Sequence, residues 1–186
     1  MEMNRTFCST NKKESLSPKT GSNMIRILAL VLVSLLSFNA FAVSAGEKAP
    51  NFSLPGIKTG NPMSLKSLRG KVVYLDFWAS WCGPCRQSLP MLNDLRNELR
   101  KQGFEVLAVN LDEDKEDAKA FLKQFPVSYP VLLDPKGKTP QKYELPGMPT
   151  SYLIDRKGRV KSVHIGFKKQ DINKIRQEVL NLLKQR

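Results

Sequence analysis

An apolar run, Val72-Val73-Tyr74-Leu75-Asp76-Phe77-Trp78, leads through Ala79-Ser80-Trp81 into Cys82-Gly83-Pro84-Cys85, and leucines at helical spacing follow. A run of this kind, polar at a single position, reads as a strand covered on both faces. Leu89, Leu92, Leu95 and Leu99 then set out one face of a helix that Gly103 stops. Two cysteines separated by two residues, where a buried strand hands over to a helix, make a reversible disulfide more readily than a structural one. The rest of the chain has to supply layers around that junction.

It alternates strands and helices. Phe104 to Leu111 reads as a second buried strand, Asp112 to Phe125 as an acidic-started helix broken by Pro126, and Tyr129 to Leu133 as a short apolar strand. Ser151–Ile154 and Val160–Ile165 flank Asp155-Arg156-Lys157-Gly158, a hairpin turn with glycine where positive φ is expected. Asp171 to Lys184 gathers Ile172, Ile175, Val179, Leu182 and Leu183 on one face, as a terminal helix lying on a sheet does. Phe52 to Leu68 reads as a hairpin and turn ahead of the core. No internal repeat is present. The order β-α-β, an added helix and strand, then β-β-α predicts a three-layer α/β domain with a central mixed sheet flanked by helices.

Before this domain the chain is of another kind. Residues 1–23 are polar and unpatterned, so Met24 is a candidate start, and Cys8 lies in that leader. From Met24 the chain runs through Arg26 and an apolar stretch to Ala40-Phe41-Ala42, a small-x-small pattern of an export cleavage site, with Val43-Ser44-Ala45 as a second candidate. Residues 24–45 therefore read as a signal peptide or as an uncleaved N-terminal membrane anchor. Either places the domain, residues 46–186, outside the cytoplasm, in the periplasm or an equivalent space. The whole chain carries 30 Lys and Arg against 17 Asp and Glu, a net +13. Those cations are scattered and not interleaved with aromatics, so nucleic acid is not an expected partner. With two cysteines in the domain, this is no disulfide-dense scaffold.

The chemistry follows from the cysteine pair. Thiol–disulfide exchange needs an attacking thiolate and a second thiol near enough to close the loop. Cys82, expected at the N-cap or first turn of the helix, meets free N–H groups and the positive end of the macrodipole. Lowering a thiol from about 8.5 to about 7 takes roughly 2 kcal/mol of preferential thiolate stabilisation. Cys82 is thus the nucleophile and Cys85, one turn deeper, the resolver, with Pro84 suited to an early helical position. A purely structural bond closing so short a loop gains little. Zinc wants four ligands, and the chain has one histidine, His164, and no second cysteine pair; no metal and no cofactor is expected. Asp76 interrupts the apolar strand, where a carboxyl is costly without a task or a partner. Burial raises its pKa and suits it to take the Cys85 proton; a satisfied or solvent-facing Asp is the alternative. His164 has no evident partner and reads as a hydrogen-bonded sheet residue. Asp112-Glu113-Asp114 and Glu116-Asp117 read as solvated, dipole-matched residues at a helix start.

Several motifs, in order, carry a family resemblance. Tyr74-Leu75-Asp76-Phe77-Trp78-Ala79-Ser80-Trp81-Cys82-Gly83-Pro84-Cys85 resembles the active-site run of thioredoxins. Ala49-Pro50-Asn51-Phe52-Ser53-Leu54, Leu68-Arg69-Gly70-Lys71 and Gly147-Met148-Pro149-Thr150 resemble the exported TlpA/ResA-type members. The resemblance spans nearly all of residues 46–186. It implies a thioredoxin fold with an N-terminal hairpin extension and a central αβ insertion. It places an Asp at position 76 and a helix proline at Pro90. It also implies a cis Met148-Pro149 bond facing the cysteines, whose free backbone groups dock the incoming polypeptide. Trp81 beside Cys82 suits an apolar contact rim, so Trp81, Gly83, Pro84, Met148 and Pro149 are the candidate substrate-binding residues. Two family features are missing. The thioredoxin lysine near the Asp has no match in Leu107-Ala108-Val109-Asn110, and Ser88 stands where ResA-like proteins carry a Glu.

The implied activity is thiol:disulfide oxidoreduction on partner proteins by an exported monomer. Gly83-Pro84 matches the reducing member, and adds no charge of the kind that separates strong oxidants from reductants by about 150 mV or about 7 kcal/mol. A thiol peroxidase on this fold needs Pro and Thr or Ser where Leu75 and Ala79 stand. A non-catalytic redox-sensing or binding module is the alternative of a different class. The resemblance further implies a membrane thiol-transfer donor and, as clients, the haem-attachment cysteines of c-type cytochromes.

Overall fold

The computed structural model describes residues 43–185; the readings made for residues 1–42 lie outside them. Among the described residues, seven strands, four α-helices and two short 3₁₀ turns alternate. Five strands form one sheet: β3 (Val72–Trp78), β4 (Phe104–Asn110), β5 (Val131–Leu133), β6 (Thr150–Ile154) and β7 (Val160–Ile165). Their order is β5-β4-β3-β6-β7. β4 runs parallel to β3 and to β5, whereas β6 is antiparallel to β3 and to β7. This is the mixed sheet of the thioredoxin fold.

Every residue of β3 and β4 is buried, because both faces of the sheet are covered. Side chains alternate across the pleat. Val72, Tyr74 and Trp78 of β3 join the cluster that holds α1 (Cys85–Leu99) and α4 (Asp171–Lys184), through Leu89, Leu92, Leu95, Ile175 and Val179. Asp76 shares that face by the same alternation. Val73, Leu75 and Phe77 point the other way, into a second cluster with Phe52, Leu65, Leu68, Tyr143 and Tyr152.

The N-terminal segment builds that second cluster. β1 (Ser53–Pro55) and β2 (Pro62–Ser64) form a separate antiparallel hairpin. Its approach is tied to β7 and the turn before it: Gly46 N donates to the Val160 carbonyl, Val160 N to the Glu47 carbonyl and Ala49 N to the Gly158 carbonyl. The packing begins earlier than the expected residue 46, since Val43 is already buried against this cluster.

Three expectations need correction. The second helix, α2 (Lys115–Gln124), starts three residues late, because Asp114 caps it by accepting from Glu116 N at 2.9 Å. Asp112 is buried, not solvated, for a reason given below. A short helix, α3 (Lys138–Tyr143), was not anticipated. It is six residues long, follows Gly137 at φ 59°, and is fixed by Asp134, whose carboxylate accepts from Lys138 N and Thr139 N. No helical periodicity can register over so short a span. The β6–β7 turn is as expected, with Gly158 at φ 78°.

Candidate active site

Cys82 and Cys85 are joined in a disulfide with their Cα atoms 5.4 Å apart. The helix begins at Cys85, with Pro84 as its N-cap residue, so Cys82 lies just ahead of it and not within its first turn. The Cys82-Pro84 segment is wound tightly: Cys85 N donates to the Cys82 carbonyl, Arg86 N to Gly83 and Gln87 N to Pro84. Cys82 remains close to the helix N-terminus, where anionic sulfur is favoured. Cys85 is completely buried and Cys82 is 4% exposed, so Cys82 is the nearer of the two to the surface. Ser88, buried one turn on, directs its hydroxyl to the Cys85 carbonyl.

The segment between β3 and Cys82 is held by side chains whose role the sequence did not reveal. Asp112 accepts from Ser80 N and from the Ser80 hydroxyl at 3.0–3.1 Å, and from Asn110 Nδ2 at 2.7 Å. This clamp buries Asp112 and fixes the chain two residues before Cys82. The available signal was Asn110-Leu111-Asp112 at the end of the strand beside β3, visible once the strands are paired.

Asp76 is 1% exposed. Its Oδ1 accepts from the Ser151 hydroxyl at 2.6 Å, and its Oδ2 has no hydrogen-bond partner. Burial pushes its pKa up to about 7, with the Ser151 hydrogen bond opposing the rise. Ala108 faces it across β4, where the family lysine has no counterpart, so no cation returns it to the ordinary carboxylate range. Burial first, then the Asp76 charge, holds the Tyr74 phenol far above its usual value. Tyr74 Oη lies 3.0 Å from His164 Nδ1, and His164 Nε2 lies 3.0 Å from Glu178 Oε2. His164 is thus a hydrogen-bonded residue of the sheet, as read, but with partners that the sequence did not supply.

The rim of the disulfide is apolar. Trp81 is 67% exposed, while Trp78 is fully buried against Phe121. Gly83 and Pro84 are exposed. The Met148-Pro149 bond is cis, and Met148 packs against the cluster that contains both cysteines. The Pro149 carbonyl accepts from Gly166 N at 2.8 Å, which ties the loop to the end of β7. There Ile165, paired with Thr150, is 67% exposed. Ile165 joins the same side of the molecule and was not anticipated, because nothing in β7 alone marks its last residue as a neighbour of Pro149.

A strand-to-helix disulfide on a five-stranded mixed sheet, with a buried carboxyl on the same face, defines the class of thiol-disulfide oxidoreductases with a thioredoxin fold. Residues 44–179 match the Redoxin family. The thiol-disulfide oxidoreductase ResA of Geobacillus kaustophilus is 35% identical over 156 residues, covering 79% of this chain and 89% of that protein. ResA of Bacillus subtilis is 34% identical over 157 residues, covering 83% and 87%. A Chlorobium tepidum structure provisionally assigned as thiol:disulfide interchange protein DsbE is 51% identical. It covers 76% of this chain and 99% of that one, with a TM-score of 0.73. The chain belongs to the Redoxin family, as a TlpA/ResA-like thiol-disulfide oxidoreductase.

Proposed function

We propose that the protein is an exported reductant of disulfides in other proteins, with Cys82 as nucleophile, Cys85 as resolving thiol and Asp76 as the proton partner of Cys85. In the reduced form the Cys82 thiolate attacks a client disulfide, forming a mixed disulfide and expelling one client thiolate. Cys85 passes its proton to the Asp76 carboxylate and attacks Cys82 Sγ, which expels the second client thiolate. The client gains two electrons, and the Cys82–Cys85 bond carries the oxidation. One observation carries this reading: the disulfide and a carboxyl with a pKa near 7 occupy the same face of the sheet. A carboxyl tuned to ambient pH can both take and return a proton. Trp81, Gly83, Pro84, Met148 and Pro149 receive the client chain; the exposure of Trp81, Gly83 and Pro84 and the packing of half-buried Met148 against the cysteine cluster support that role, with the buried Pro149 shaping the loop behind them.

A dithiol donor must reset the oxidised form. Outside the cytoplasm that donor is a membrane thiol-transfer protein, and the haem-attachment cysteines of c-type cytochromes are the client class the family suggests. Residues 1–23 form a polar leader and 24–45 a signal peptide or N-terminal membrane anchor, followed by the thioredoxin-like domain of residues 46–186. Among the described residues no helix is long and apolar enough to cross a membrane.

Insulin-disulfide reduction by the purified protein, with dithiothreitol as donor, tests the core of the reading. Wild type turns over and Cys82→Ser does not; activity kept by the variant, or missing from wild type, overturns it. Cys85→Ser accumulates mixed disulfides in cells, and the linked proteins identify the clients.

A further inference from the structure

Lysines and arginines that lie scattered along the sequence are gathered by the fold at one end of the sheet. Ile154, the last residue of β6, pairs with Val73 near the start of β3 and with Val160 at the start of β7. From there β3 runs to Trp78 and the chain goes on to Cys82, so the β6–β7 turn lies at the end of the sheet away from the disulfide. Arg156, Lys157 and Arg159 belong to that turn and Lys161 follows it; the four line a cleft of about 290 Å³ with the end of α4. Lys48 is paired with Arg159 in a β-bridge, and the Arg69 guanidinium lies against Gly158, where a side chain would otherwise stand. We propose that this pole is a docking surface for a bilayer of anionic phospholipid, whose headgroup phosphates it receives.

Charge and chain path both point to a bilayer. Lys48, Arg69, Lys71, Lys157, Arg159 and Lys161 are all exposed. Lys71 follows Gly70, whose N–H donates to the Arg156 carbonyl at 3.0 Å. The carboxylates nearby are outnumbered: Asp155 accepts from Lys157 N and Arg159 N inside the turn, Glu47 accepts from Ser44 N, and buried Glu105 is gripped by Arg96 with Lys71 3.9 Å away. The chain also enters the domain at this pole. Gly46 N donates to the Val160 carbonyl at 2.8 Å, and Arg159 Nη1 donates to the Gly46 carbonyl at 3.0 Å. Residues 24–45, read as a signal peptide or membrane anchor, therefore lead directly into it. Ala42 stands four residues before Gly46, at most about 14 Å of extended chain. Cations held so close to a membrane-seeking segment meet headgroups, and each one at an anionic surface strengthens the attachment about fivefold.

Other polyanions fit less well. A nucleic-acid surface adds aromatic platforms to its cations, and among the described residues the exposed large apolar side chains are Trp81 and Ile165, both beside the disulfide. A second group of lysines, Lys58, Lys119 and Lys123 with Ile57 and Leu122, lies on the β5 side, away from the point of chain entry, and Lys119 is paired with Glu116. With the basic pole on the bilayer, the disulfide points outward to clients in solution. The attachment is screened over about 8 Å at physiological salt, so the domain releases readily and the disulfide stays available to a membrane donor. The inference is independent of the roles given to Cys85 and Asp76.

The test is amine labelling of the full chain on vesicles of phosphatidylcholine and on vesicles of phosphatidylcholine and phosphatidylglycerol in equal parts, read lysine by lysine by mass spectrometry. Lys48, Lys71, Lys157 and Lys161 are expected to label about tenfold more slowly on the anionic vesicles and at unchanged rate on phosphatidylcholine. Lys58 and Lys123 label alike on both. Reading single lysines separates this surface from any binding through residues 24–45. Lys157→Glu combined with Lys161→Glu removes the protection of Lys48 and Lys71, while insulin reduction, at the far end of the sheet, keeps its wild-type rate. Equal labelling on the two kinds of vesicle, protection centred on Lys58 and Lys123, or protection kept by the double variant overturns the proposal. Protection by soluble polyglutamate but not by anionic vesicles assigns the surface to an acidic polypeptide and overturns it too. Should the double variant not fold, the wild-type comparison decides alone.

Discussion

At Asp76 the surroundings of two oxygen atoms couple chemistry to stability. The folded chain holds the carboxyl near 7 against an ordinary value of 3.8, chiefly because it is buried. A raised folded pKa means that the native state binds this proton more tightly than the unfolded chain does. The carboxyl therefore costs nothing below its unfolded value, and stability falls as pH rises from about 4 through 7. Asp76→Asn should remove that slope. The variant is expected to unfold at similar denaturant concentrations near pH 4 but to outlast wild type at pH 8, by as much as about 4 kcal/mol. Urea titrations at the two pH values check this; a gain equal at both would mean that the group does not titrate between them. The carboxyl itself was legible in the sequence, because one charge in an apolar strand stands out. Ser151, Tyr74 and His164 were not, since a hydroxyl, a phenol and an imidazole far apart along the chain meet only through strand register.

Among the elements, α1 depends on more than its leucines. Arg96 grips Glu105 at the start of β4 with Nε to Oε1 at 2.7 Å and Nη2 to Oε2 at 3.1 Å. Glu105 is buried, so removing the arginine leaves its carboxylate with the Val106 N–H and the more distant Lys71 ammonium at 3.9 Å. Arg96→Ala should lower stability by about 3 kcal/mol, and converting both residues to methionine should recover much of the loss. Denaturant unfolding of the single and double variants measures it; equal losses would show that packing, not charge, holds the junction. Helices and strands with apolar periodicity were readable, as β3, α1 and α4 attest. Their ends were not, because caps decide them: Asp114 sets the start of α2, and the Ser80–Asp112 clamp draws Asp112 inward.

Across the whole molecule the sheet separates two tasks. One face carries the disulfide and the carboxyl; the other is closed by the N-terminal segment and α3. Phe52 is 5% exposed and packs edge-on to Tyr143. Phe52→Ala should cost about 3 kcal/mol while leaving insulin reduction at wild-type speed below the melting transition. Thermal unfolding paired with activity checks both halves, and a parallel loss of turnover in folded protein would show that the faces communicate. The hairpin was legible as an appendage ahead of the core; that it forms half of the core was not, since its strands are three residues each. The end of α4 has a consequence of its own. Arg156, in the β6–β7 turn, donates to the carbonyls of Leu182, Leu183 and Gln185. A tag fused at the C-terminus therefore leaves from a clasped point, so a linker spliced there keeps its sway to itself, whereas Arg156→Ser would let the last turn fray and loosen any cargo hung on it.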